Sequence, residues 1–128
     1  MKHLLLAGIL VASPLAAQDA GAPAPQLTLE QKTLLRCSAA FAVIAREQAQ
    51  GVQTALAYPP LATRGKEYFV QAGARLIADH QLTHEQVEAL YKTELQKLLN
   101  ESYQAKDPAA FVASLMQPCL MSLDGSGL

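Results

Sequence analysis

Two stretches of this chain, Thr28-Leu29-Glu30-Gln31 and Thr83-His84-Glu85-Gln86, set a threonine three residues ahead of a glutamine at the head of an apolar-periodic run. In that arrangement the threonine hydroxyl accepts from a backbone amide orphaned in the first helical turn, and the glutamine side chain reaches back to the threonine amide. Each capping box is therefore a helix start. Asp107-Pro108 is a third, with aspartate as cap and proline at the first helical position, where its missing N–H is no loss. Tyr58-Pro59-Pro60 is the opposite signal, because proline disfavours helical geometry at the residue before it.

Between these marks the apolar residues keep helical spacing. Leu34, Cys37, Phe41, Ile44 and Gln48 recur at intervals of three and four, with Leu35, Ala42 and Ala45 broadening the stripe. Gly51 offers a stop, yet Val52, Ala55 and Leu56 continue the period, so the pattern leaves this helix's end open. A second segment, about Leu61 to Asp79, carries a Phe69, Ala72 and Leu76 seam flanked by Gly65 and Gly73, which permit close helix contact. A third follows the Thr83 cap, with Val87, Leu90, Tyr91, Glu94, Leu95, Leu98 and Leu99 setting its face and Leu82 and Val87 placed as a hydrophobic staple. A fourth carries Phe111, Val112, Leu115, Met116, Cys119, Leu120 and Leu123, and Pro118 is expected to kink or divide it. The expectation is an all-α fold, an antiparallel four-helix bundle-like single domain over residues 27–128.

The N-terminus belongs to a different category. Met1-Lys2-His3, an unbroken apolar run from Leu4 to Ala12, then Ser13-Pro14-Leu15-Ala16-Ala17 follow the charged, apolar and small-residue order of a secretory signal peptide. The run is about half the length a membrane-spanning helix needs, and no cysteine stands near the cleavage point to be acylated. Cleavage is expected near Ala17, giving a periplasmic or secreted protein with no stable membrane anchor. Residues 18–26, with Pro23, Pro25 and Gly21, read as a flexible tail. Lys2 leaves with the signal peptide and no acid does, so the formal charge moves from −1 to −2. That balance argues against nucleic acid and anionic membranes as partners.

In an oxidising compartment the two cysteines, Cys37 and Cys119, are expected to form a disulfide between the first and last helices. Closing a loop of about 80 residues constrains the unfolded chain by roughly 4–5 kcal/mol. Two buried thiols acting as small apolar residues are the competing reading. A redox pair is poorly supported, there being no Cys-x-x-Cys. In layout and cysteine count the chain resembles the small exported helical proteins stapled by one disulfide, acid-stress chaperones of the periplasm among them. That likeness carries no residue motif, so no functional position follows from it.

Signatures of catalysis are missing. His80 and His84 are four residues apart beside Asp79 and Glu85, a zinc-like spacing on a continuous helix, but Gln81-Leu82-Thr83 reads as a turn that separates them. The serines lack a Gly-x-Ser-x-Gly setting, and Glu85/Glu88 and Glu94/Glu101 read as a solvated face. No phosphate-cradling glycine loop, dinucleotide fingerprint or calcium loop is present, and no cofactor or metal site is expected. The expected function is therefore non-enzymatic: binding another envelope protein, as an inhibitor, immunity-type factor, adaptor or stress chaperone. The stiff segment Tyr58-Pro59-Pro60, with Arg64 nearby, is the candidate partner surface. The alternative is a carrier of a small apolar ligand in the bundle core, suggested by seams rich in Ala, Leu and Met. An enzyme using His80 or His84 is the remaining alternative.

Overall fold

A computed structural model describes residues 24–128. The signal-peptide reading at 1–17 and residues 18–23 of the tail lie outside them. Five helices, four of them substantial, pack together: α1 (Leu29–Ala49), α2 (Gln53–Leu56), α3 (Arg64–His80), α4 (His84–Gln104) and α5 (Pro108–Gly125). Among the described residues no helix is long and apolar enough to cross a membrane.

The start signals act as chemistry requires. Thr28 Oγ1 accepts from Gln31 N at 3.1 Å while Gln31 Oε1 accepts from Thr28 N at 3.0 Å, and Thr83 and Gln86 repeat the pair at α4. Asp107 accepts from Ala110 N at 3.0 Å, with Pro108 opening α5. The end of α1 is also settled. Gly51 takes φ +75, a left-handed value that glycine adopts without a Cβ penalty, and the chain restarts as the single-turn α2. Pro118 does not divide α5, which runs on through Gly125.

α1 touches each of the other helices, and it is consequently buried around most of its girth: Cys37 to Phe41 are all buried, as are Leu35 and Ile44. Ala42, expected in the stripe, is exposed instead. Ala72 and Leu76 of the expected α3 seam are buried, but Phe69 is not. Gly65, Tyr68, Ala72 and Leu76 are the buried set, spaced three, four and four, and Phe69 is displaced to the flank against Tyr91, ring centroids 4.8 Å apart. Tyr68 meets Phe41 edge-on at 5.1 Å, and its hydroxyl lies 2.7 Å from Ser122 Oγ on α5. Burial raises the Tyr68 phenol's pKa, the bond to Ser122 pulling less strongly the other way. Gly65 is what allows α1 and α3 to approach here, because a Cβ at that position would stand 2.9 Å from Phe41 Cβ.

The disulfide joins α1 to α5 through Cys37 and Cys119, with Cα atoms 5.2 Å apart and both residues buried in the main core with Phe41, Met116 and Leu123. A smaller cluster of Leu35, Leu76 and Val87, with Leu82 packed against it, closes the other end. Leu82 and Val87 thus share one cluster, as a hydrophobic staple requires.

Candidate functional site

Three helix segments surround an apolar cleft. α1 contributes Ala40, Val43, Ile44 and Glu47, one turn apart on a single face; α4 contributes Leu98, Leu99, Ser102 and Tyr103; α5 contributes Pro108, Phe111, Val112, Leu115 and Met116. The floor is closed by Ala40, Ile44, Leu98 and Met116, all buried, while at the rim Leu99 is 49% and Tyr103 90% exposed. Its volume is about 480 Å³. A smaller concavity of about 290 Å³ shares Ile44, Glu47, Ser102, Pro108 and Val112 and extends the cleft toward Ala55 and Tyr58. A larger depression, about 710 Å³, lies where residues 25–27 cross α1 and α4. Its lining is mixed, with Leu27, Leu29, Leu35 and Leu90 set among the charged Lys32, Arg36, Glu94 and Lys97.

The expected partner surface is only partly available. Pro59 and Pro60 are exposed, but Tyr58 is half-buried and packs against the main core. Arg64 donates to Asp124 Oδ1 at 2.9 Å and to the Leu128 backbone oxygen at 2.8 and 3.1 Å, which ties the start of α3 to the end of the chain. The Tyr-Pro-Pro segment is held by Gln48. Its amide nitrogen donates to the carbonyls of Ala55, Tyr58 and Pro59 at 2.9–3.2 Å, and its carbonyl oxygen accepts from Leu61 N at 3.1 Å. The periodicity placed Gln48 in the apolar stripe, and nothing local in sequence announces four backbone partners.

His80 closes α3 and His84 opens α4, with Gln81 in the left-handed region (φ 53) between them. His80 Nε2 lies 2.9 Å from Gln31 Oε1, and Gln31 Nε2 donates to Asp79 Oδ2 at 2.9 Å, so the capping glutamine of α1 also secures the end of α3. His84 is exposed. Among the described residues no three His, Cys, Asp or Glu side chains are grouped to hold a metal ion.

Glu94 and Glu101, expected on a solvated face, instead hold Arg36 of α1. Arg36 Nη1 meets Glu94 Oε1 at 3.0 Å, and Nη2 meets Glu101 Oε2. Burial opposes the guanidinium charge, but the hydrogen bonds to Glu101 and Glu94 and their negative charges outweigh it, holding the Arg36 pKa above its ordinary value. The triad locks α1 against α4, and its Arg36 and Glu94 line the larger depression, not the apolar cleft.

No protein-family model, no curated protein and no solved structure matches this chain.

Proposed function

We propose that this chain is an exported, non-enzymatic binding protein of the bacterial periplasm, and that the cleft between α1, α4 and α5 is where it binds an apolar ligand. The observation that carries the reading is the cleft itself. Its lining is apolar apart from Glu47 and Ser102 and the tip of Tyr103, its floor is fully buried, and its volume lies in the ~300–1,000 Å³ range of small-molecule sites. Three packed helices leave such a space where a residue facing it is small, and Ala40 is the small residue here. Export rests on the Met1–Ala17 pattern. The mature chain then begins at Gln18, which N-terminal sequencing of the exported protein reads directly; an intact Met1 refutes cleavage.

The test of the cleft is saturable binding of an uncharged apolar fluorophore such as N-phenylnaphthylamine. Val43→Trp and Leu115→Trp fill the cleft from its half-buried walls and leave the floor untouched. Both weaken binding by about tenfold or more, a loss of roughly 1.4 kcal/mol, with an unchanged unfolding midpoint. Equal affinity in all three proteins refutes the assignment.

A second reading, a protein partner, is favoured by Tyr103 and Leu99, a tyrosine and a leucine standing exposed side by side at the cleft mouth. Capture from the native envelope with the disulfide intact tests it. A partner retained by the native protein and lost with Tyr103→Ala supports this reading; one retained equally by both rejects the cleft mouth as its contact, and no retained partner rejects the reading.

A further inference from the structure

We infer that the ligand of the α1–α4–α5 cleft is a cationic amphiphile, an apolar chain bearing an ammonium group, with Glu47 as its counter-ion; this rests on the cleft being a ligand site. Glu47 is the one charged side chain that lines the cleft, and it lines the extension toward Tyr58 as well. It is half-buried, and among the described residues it enters no ion pair; the basic residues nearest to it in the chain and at the α4–α5 turn, Arg46 and Lys106, are exposed and do not line the cleft. A carboxylate half out of water against an apolar wall gains most from a cation brought to it.

The backbone reinforces the sign. Glu47 lies in the last turn of α1, and Ser102 and Tyr103 lie in the last turn of α4, so the carbonyl ends of two helices meet at this mouth. Those ends carry partial negative charge. The positive end of α5 opens on the same cleft, but the Asp107 carboxylate caps it through Ala110 N. A carboxylate or phosphate headgroup would therefore meet repulsion, and a neutral one would leave Glu47 without a partner. An ammonium supplies three donors, for which the Glu47 carboxylate and the Ser102 hydroxyl are acceptors. The apolar chain then lies along Ile44, Leu98, Val112 and Met116.

Three ligands of equal chain length separate the possibilities: octylammonium, octanol and octanoate, each displacing a bound uncharged fluorophore from the full mature protein. Octylammonium is expected to displace it at about one-tenth the concentration octanol needs, the ratio a charge-assisted hydrogen bond supplies, with octanoate weakest. In Glu47→Gln the ratio of octanol to octylammonium falls to about one, whereas Glu88→Gln, which removes the same charge from the exposed face of α4, keeps it. If octylammonium and octanol displace equally from the native protein, or if Glu47→Gln keeps the ratio, the headgroup assignment is overturned while the cleft stands. If the fluorophore does not bind, cleft and headgroup fall together.

Discussion

Replacing Gln48 tests whether one side chain holds the connection between α2 and α3. In Gln48→Ala, Leu61 N–H loses the acceptor it has at 3.1 Å, and Leu61 is fully buried, so that amide is left dry and unpaired. An orphaned buried donor costs about 1–3 kcal/mol. The three carbonyls fare differently. Ala55 O keeps Tyr58 N as a donor at 3.1 Å, and the exposed Pro59 can turn to water, but Tyr58 is half-buried and its carbonyl adds about 1 kcal/mol. The expected loss is therefore about 2–4 kcal/mol in urea unfolding, with faster exchange of the Leu61 amide. Gln48→Glu sharpens the test. It keeps an acceptor for Leu61 but turns the donor end into a carboxylate facing three carbonyl oxygens. That raises the folded-state pKa of the introduced carboxyl above its unfolded value near ~4.3. Its stability contribution is then fully present below the unfolded pKa and lost as pH rises through the folded one. Measured against the native protein at each pH, the variant should thus be better tolerated at pH ~4 than at pH ~7. A Gln48→Ala loss under about 0.5 kcal/mol, within the range of ordinary surface substitutions, refutes the assigned role.

Reducing Cys37–Cys119, which spans 82 residues, removes about 4.5 kcal/mol by the loop-entropy relation; melting with and without reductant should differ by on the order of 20 °C. A shift of a few degrees would show that the unfolded chain is already held compact. The two helix-contact glycines of α3 are expected to answer oppositely to alanine. Gly65→Ala drives a Cβ into Phe41 Cβ and should destabilise by about 1–3 kcal/mol, while Gly73→Ala meets Val87 at 3.6 Å, an ordinary contact, and should stabilise by up to about 1 kcal/mol. The same sign in both refutes the close-approach argument, and chemical denaturation reads both.

Features carried by neighbouring residues were legible in the chain. The capping boxes at Thr28 and Thr83, the Asp107-Pro108 start and the break at Tyr58-Pro59-Pro60 each act within one turn, so the local pattern contains their whole physics. The Cys37–Cys119 pairing was legible for a different reason: two cysteines allow one internal bond. What escaped was set by partners distant in sequence. Gln48 falls on the apolar period of α1 because the backbone it serves lies 7 to 13 residues on and folds back over it. Arg36 finds Glu94 and Glu101 only because α1 packs on α4, and Ala42 is exposed where spacing alone would bury it. Tyr68 is buried where Phe69 was expected, and its partners, Phe41 on α1 and Ser122 on α5, lie on other helices. The cleft was the least legible feature, since it is a gap between three helices and no single segment encodes a gap.

The disulfide ties α1, which packs against all four other helices, to α5, and this shapes how the molecule is made. α1 is synthesised first among the helices and α5 last. Until α5 emerges, the Cys37 thiol has no partner anywhere in the chain, because Cys119 is the only other cysteine. Oxidation therefore cannot record an early wrong turn. A chain with two thiols has no scrambled isomers to sort, and an isomerase has nothing to correct within a single molecule. The mispairing that remains is between molecules, through the thiol of a second copy or of another protein.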